Sequence, residues 1–187
     1  MIIINNEVSL LLSILEKAEL DEIDKKIFLD ILKKIEHKDT IDTILEQLSS
    51  IEERDKLQYI IRIIEIYGNT NYIIRILNIL SKPYFYKFYT ILDYYGVTFK
   101  HESNYNHIIE KTIDLMEKVT KEFQIRYIHH FLFYNTIMKI DSVNISSILK
   151  LAERILEASN EEEALNIYMT IMKISSTATK SRKKVMK

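Results

Sequence analysis

The 187-residue chain has no cysteine and no tryptophan, and it contains only two glycines and one proline. Without cysteine, disulfides, thiolate metal sites and cysteine nucleophiles are excluded. With glycine only at Gly68 and Gly96, there is no glycine-rich phosphate loop, dinucleotide fingerprint or G-x-S-x-G elbow. We therefore expect a protein that is not an enzyme, binds no cofactor and has no evident small-molecule substrate.

Long apolar runs are also missing. No charge-free stretch reaches the roughly 18 residues that a membrane-spanning helix needs. Residues 1–6 carry no basic stretch ahead of their short apolar run, which argues against a secretory signal. The sequence predicts a cytoplasmic protein without a membrane partner.

Scarce glycine and proline also bear on the fold class, because sheet-rich proteins use these residues at many tight turns. Apolar residues instead recur at helical spacing, as in Val8, Leu11, Leu12 and Leu15. The pattern predicts an all-α fold of about ten helices, in which antiparallel helical hairpins are stacked as a short α-solenoid or packed as a multi-helix bundle.

An internal similarity supports hairpins of about 30 residues. Residues 59–68 align with residues 87–96 at an offset of 28, and each segment ends in glycine. Repeats of this length build α-solenoids, although adjacent amphipathic helices of similar length also look alike. We predict a single helical domain over residues 1–176, followed by a basic, flexible tail at 177–187.

Several residues indicate where helices begin and end. Ser50 with Glu53, and Ser159 with Glu162, have the spacing of capping boxes at helix N-termini. Gly68 and Gly96 each follow an apolar, aromatic stretch, which predicts a helix C-terminus at both.

The segment 84–95 is the most distinctive in the chain, since seven of its twelve residues are aromatic. Seven rings cannot all face inward on one helix, so some must lie at a surface. Three interpretations are open: a protein interface, a helix buried on two sides, or a platform that stacks single-stranded bases. The candidate partner-binding residues are Tyr84, Tyr86, Lys87, Tyr89, Tyr94 and Tyr95.

A second aromatic stripe, Phe123, Tyr127, Phe131 and Tyr134, has helical spacing and is more typical of a core, with Phe133 lying off it. The adjacent His129 and His130 point about 100° apart on a helix and cannot chelate one metal ion from that element alone. We expect no metal site.

The functional hypothesis from the sequence is a non-catalytic interaction or scaffold protein that binds another protein, or a second copy of itself, through the aromatic helix. The alternative is a helical subunit of a nucleoprotein assembly. Residues 1–60 carry a net charge of −6, whereas 61–150 carry +3 and 151–187 carry +2, which leaves room for a local basic surface. The candidate phosphate contacts are Lys82, Lys87, Arg126, Lys180, Arg182, Lys183 and Lys184.

Overall fold

The computed structural model describes the backbone of residues 2–67, 70–137 and 145–185. Side chains are described for residues 6–67, 71–134 and 145–173. Gly68, one of the two predicted helix ends, lies outside these residues.

The described backbone folds into ten helices and no strand, which confirms the all-α prediction. The described links between them are short, which favours antiparallel packing of neighbouring helices. The helices are α1 (Ile2–Lys17), α2 (Glu22–Lys33), α3 (Lys38–Ser49), α4 (Arg54–Tyr67), α5 (Thr70–Leu80), α6 (Phe85–Phe99), α7 (Tyr105–Lys118), α8 (Glu122–Ile137), α9 (Ile145–Leu156) and α10 (Glu161–Val185).

The hydrogen bonds at the start of α10 show which residues cap this helix. The backbone N–H of Glu163 donates to the side chain of Asn160 at 2.9 Å, and the carboxylate of Glu163 accepts from the Ser159 backbone and hydroxyl. These hydrogen bonds lower the pKa of Glu163. The predicted box at Ser159 and Glu162 is therefore displaced by one residue, with Asn160 and Glu163 in the capping roles.

Ser50 has a different role from the predicted one. It is the C-cap of α3, and its backbone N–H donates to the carbonyl oxygens of Glu46 and Leu48. Its hydroxyl donates to the Gln47 carbonyl at 2.7 Å. Ser50 thus closes the preceding helix instead of opening α4.

Gly96 does not end a helix, so that prediction is wrong. It is buried within α6, which continues to Phe99. Tyr95 and Phe99 are both buried around it, and their rings stack at 5.5 Å. Buried contacts on both sides of Gly96 favour the helical conformation over the left-handed one that glycine readily adopts at a helix end.

The chain divides into two compact units, Met1–Phe85 and Tyr86–Lys187. In the first unit α1 packs on α3 and α3 on α5, while α2 packs on α4. The contacts of α1 with α2 and of α4 with α5 join these two layers. Contact between next-but-one helices is what successive helical hairpins produce when they stack.

The second unit repeats this packing rule. α7 packs on α9 and α8 packs on α10, and the contacts of α9 with α8 and α10 join the layers. Fully buried residues such as Phe88, Ile113, Phe131 and Ala152 fill its core. That residues 1–176 act as one domain stays a prediction.

The internal similarity at an offset of 28 aligns α4 with α6, and the aligned positions share their burial. Four aligned pairs of side chains are at most 4% exposed: Ile60 with Phe88, Ile63 with Ile91, Ile64 with Leu92 and Tyr67 with Tyr95. The similarity therefore reflects the same inward-facing stripe on two helices.

The basic segment at the C-terminus continues α10, since the helical backbone extends to Val185. The side chains of Lys180, Arg182, Lys183 and Lys184 lie outside the described residues. The flexibility predicted for residues 177–187 stays a prediction.

Leu48 offers a direct test of the packing in the first unit, because its side chain is fully buried on α3. We expect Leu48→Ala to lower the free energy of unfolding by about 2–5 kcal/mol, through lost apolar burial and the cavity left behind. Denaturant unfolding followed by circular dichroism measures this change. The exposed neighbour Glu46 supplies the control, since Glu46→Ala should shift the value by no more than about 0.5 kcal/mol. Equal effects of the two substitutions would contradict the assigned core.

Candidate protein-interaction surface

The rings of the segment 84–95 divide between the core and the surface, as the sequence required. Phe85, Phe88 and Tyr95 are buried. Tyr86 is 64% exposed and Tyr94 is 41% exposed. The remaining candidates, Tyr84, Lys87 and Tyr89, are half-buried. Tyr95 therefore belongs to the core of the second unit, and Tyr86 and Tyr94 are the accessible aromatic members of the set.

The helical period explains this division. Phe88, Leu92, Tyr95 and Phe99 recur every three or four residues and form the buried stripe of α6. The exposed positions Tyr86, Thr90, Tyr94 and Val97 follow the same spacing on the outward side. The contacts of the inner stripe therefore fix the orientation of the outer one.

Helix α8 extends this outward surface. Thr90 and Tyr94 of α6 line a small depression together with His129 and Phe133 of α8. Its volume is about 50 Å³, and its wall is completed by Ile91, Tyr95 and Leu132. We call the outward side chains of Tyr86, Thr90, Tyr94, Val97, His129 and Phe133 the aromatic face.

His129 is the only ionisable imidazole of the aromatic face. Its ring stacks on that of Phe133 with the centroids 6.1 Å apart and the planes 9° apart. Burial lowers the pKa of His129, and the nearby His130 and Lys87 lower it further. The imidazole is therefore neutral near neutral pH, and none of the side chains that line the depression is charged.

The aromatic face concentrates the exposed apolar side chains of the described residues. Eight large apolar side chains are exposed among all the described residues. Four of them belong to this face: Tyr86, Tyr94, Val97 and Phe133. Single exposed apolar residues are ordinary, whereas contiguous ones are typical of binding surfaces. Tyrosine suits such a surface because its ring is apolar and its hydroxyl remains hydrated.

The described candidate phosphate contacts, unlike the rings of the aromatic face, are either paired with acidic side chains or half-buried. Arg126 donates to the carboxylate of Glu161 at 3.1 Å and forms an ion pair with Glu122 at 3.8 Å. Its charge is therefore already balanced by two acids. Lys82 belongs to the first unit and Lys87 to the second, and both are half-buried.

Glu161 also fixes Tyr127 of the predicted second stripe. The Tyr127 hydroxyl donates to the same carboxylate at 3.3 Å, and its ring lies 5.5 Å from that of Tyr168. The pKa of Tyr127 is raised, first by burial and then by Glu161. These contacts tie α8 to α10 and leave Tyr127 half-buried at the flank of the core.

The prediction of a core stripe on α8 was thus correct for Phe131 alone. Phe123, Tyr127 and Tyr134 are half-buried. The buried face of α8 consists instead of Gln124, Ile125, Ile128, Phe131 and Leu132. The side chain of Gln124 accepts from the backbone N–H groups of Thr120 and Lys121 at 3.0 Å, which satisfies a polar group within that face.

The first unit contains a polar cleft of about 410 Å³ beside the link between α3 and α4. The carboxylates of Glu52 and Glu53 line it, and the ammonium group of Lys56 lies 5.2 Å from the ring centre of Phe85. No group of three or more histidine, aspartate or glutamate side chains placed to hold a metal ion occurs among the described residues.

In the part of the chain that the structure describes, no helix is both long enough and apolar enough to cross a membrane.

Four members of the aromatic face were missed from the sequence. Thr90 was missed because only aromatic and basic residues of the segment 84–95 were taken as candidates. Val97 was missed because Gly96 was taken as the end of its helix. Phe133 and His129 were missed because their proximity to α6 depends on tertiary packing. Phe133 did give one signal, since it is an aromatic residue outside the stripe formed by its neighbours.

His129 should make the second unit sensitive to acid. Since its pKa in the folded state is lowered, the neutral form stabilises the fold above about pH 6.5, and this contribution is lost as the pH falls through the folded pKa. We expect the thermal midpoint to fall less between pH 7.5 and pH 5 in His129→Gln than in the wild type. The exposed His107 supplies the control, since His107→Gln should retain the wild-type pH dependence. Identical profiles for all three proteins would contradict the assigned environment of His129.

Comparison of the chain with protein-family models, with curated proteins and with solved structures finds no match. The residues themselves are therefore the basis for any proposal about function.

Proposed function

We propose that this chain is a non-catalytic, cytoplasmic interaction protein that binds a protein partner through the aromatic face of α6 and α8. The observation that carries the proposal is the exposure of Tyr86, Tyr94 and Val97 on the outward side of α6, with the exposed Phe133 of α8 beside Tyr94. Aromatic residues are enriched at the centres of protein interfaces, where they supply apolar area at little conformational cost.

The structure of α6 supports a binding role in a second way. Tyr86 and Tyr94 project from a helix whose opposite side is anchored by Phe88 and Leu92, both fully buried. An anchored helix holds the backbone that carries its exposed rings in place before a partner binds. Less ordering entropy is then lost on binding, which favours affinity.

The chemistry of this surface supports a non-catalytic role. Its central groups are a threonine hydroxyl, tyrosine rings and one imidazole whose pKa is lowered by burial. The glycine-dependent phosphate loops and the cysteine chemistry are excluded by the composition of the chain. The absence of cysteine also fits a reducing compartment, which supports the cytoplasmic location proposed.

Site-specific photo-crosslinking tests this proposal in cells that produce the full chain. A photoreactive phenylalanine analogue replaces Tyr86 in one variant and Glu110 in the control. Glu110 is exposed on α7 of the same unit and lies outside the aromatic face. We expect far more protein adducts from position 86 than from position 110, because the photoreactive group labels only what lies in contact with it.

Mass spectrometry of the adducts identifies what the aromatic face touches. Adducts to this chain or to one other protein support the proposal. Equal, non-selective labelling from both positions, or no protein adduct at position 86, would refute it.

The nucleoprotein alternative from the sequence makes a separate prediction. If Lys82, Lys87, Arg126 and the basic residues of 177–187 bind phosphates, nucleic acid will co-purify at low salt and dissociate as the salt concentration rises. Size-exclusion chromatography with light scattering, on protein purified without nuclease, checks this by the absorbance ratio. The proposed binding surface is apolar, and one of the candidate phosphate contacts, Arg126, is already paired with two carboxylates. We therefore expect no nucleic acid to co-elute. Salt-sensitive co-elution would favour the alternative instead.

A further inference from the structure

We propose that the first unit binds an extended polypeptide segment in the polar cleft beside the link between α3 and α4, with one arginine side chain of that segment held by Glu52 and Glu53. This site lies on the first unit and is separate from the aromatic face. Two properties of the cleft support the assignment: its continuation along the ends of three helices and its excess of hydrogen-bond acceptors.

The cleft continues into a second space at the end of the same helix layer. The cleft of about 410 Å³ and a neighbouring space of about 320 Å³ share Ile51 and Glu52 as lining residues. Their other lining residues include Lys17 at the end of α1, Ser49 at the end of α3 and Ser81 just after α5. We call the two spaces together the polar groove.

The polar groove has room for a short extended segment. α1 packs on α3 and α3 packs on α5, so the groove crosses the ends of three neighbouring helices. Packed helices are about 8–10 Å apart, which makes the groove roughly 20 Å long. An extended chain of about six residues spans this length at about 3.3 Å per residue. A small ligand would fill only one of the two spaces.

Glu52 and Glu53 supply the negative charge of the groove. Both residues are exposed, and neither carboxylate forms a hydrogen bond or an ion pair within the part of the chain that the structure describes. The groove also lies at the C-terminal ends of α1, α3 and α5, and such ends each carry about half a unit of negative charge. A cation that enters the groove therefore meets two carboxylates whose charge is not yet balanced.

The uncharged groups of the groove also present acceptors. The hydroxyls of Ser49, Ser50 and Ser81 donate their protons to backbone carbonyl oxygens three residues earlier, each at 2.7 Å. A hydroxyl has one proton, so in this arrangement these oxygens can only accept from a ligand. Gln47 donates to Asn78 at 2.6 Å, and its Oε1 is buried without a hydrogen-bond partner among the described residues. These unsatisfied acceptors favour a ligand rich in N–H groups.

A guanidinium group matches this lining better than an ammonium group does. It carries five N–H donors in one plane, and it is only weakly hydrated. Its edges can donate to Glu52 and Glu53 while one face lies against the apolar side chains of Ile51 and Leu77, which line the same cleft. An ammonium group is a compact, strongly hydrated charge, so it gains less from an apolar wall.

Two lysines limit the segment to a single positive charge. Lys17 lines the second space, and Lys56 lines the cleft, where its ammonium group lies 5.2 Å from the ring centre of Phe85. One lysine thus belongs to each space, whereas Glu52 belongs to both. A single arginine at Glu52 is attracted, but further basic residues on either side of it would meet a lysine. The groove therefore favours a segment with one arginine over a polybasic one.

A capped alanine pentapeptide with one central arginine tests the site by NMR titration of the ¹⁵N-labelled full chain at low salt. We expect the amide signals of residues 51–53 to shift, with a dissociation constant on the order of 1 mM, since exposed ion pairs each contribute little. The control peptide carries citrulline, which has the shape of arginine without its charge. It should bind at least about fivefold more weakly, because both ion pairs are lost.

Substitutions in the chain locate the binding. Glu52→Gln combined with Glu53→Gln should weaken binding of the arginine peptide by at least about fivefold, and Lys56→Met should strengthen it by about twofold. Each change alters the charge that the arginine meets. Glu36→Gln, an exposed substitution before the opposite end of α3, should leave the affinity unchanged.

Four results would overturn the inference. They are equal binding of the arginine and citrulline peptides, an unchanged affinity in the double variant, no shift of the groove signals up to about 10 mM peptide, and methylguanidinium binding as tightly as the peptide. In the last case the rest of the segment would add nothing to the contact. None of these results bears on the crosslinks from position 86, which test the aromatic face alone.

Discussion

The burial of one stripe on α6 is the constraint on which the candidate surface depends. Phe88, Leu92 and Tyr95 fix the rotation of this helix in the second unit, because each is at most 3% exposed. Helical geometry then sets the direction of the Cα–Cβ bonds of Tyr86 and Tyr94. The buried residues of α6 therefore decide which of its residues face outward, so the same packing contacts determine both the core side and the surface side of this helix.

Much of the fold followed from the composition and the helical period. Scarce glycine, the spacing of isoleucine and leucine, and the similarity at an offset of 28 were enough to predict an all-helical chain of about ten helices. These features are local, and a helix is a local structure. The capping residues were predicted less precisely, since Ser50 and Ser159 lie in short links where either neighbouring helix can use them.

The candidate site could be predicted only in part. An excess of rings in residues 84–95 required a surface, but the choice of which rings were exposed depended on the helix extending through Gly96. The contribution of Phe133 depended on α8 lying beside α6, which no local pattern shows. Arg126 illustrates the same limit, because its ion pair with Glu161 joins residues 35 apart in sequence.

Gly96 has a consequence for how the aromatic face behaves over time. Glycine within a helix costs roughly 0.5–1 kcal/mol relative to alanine, because it loses more backbone freedom on folding. Gly96 lies in the last turn of α6, where the carbonyl groups near the end have no partners further along the helix. The turn that carries Val97 should therefore open and close more often than the turns that carry Tyr86 and Tyr94. The aromatic face would thus combine a rigid section at Tyr86 and Tyr94 with a more mobile end at Val97, and any ligand that required an ordered Val97 would favour the closed form of that last turn.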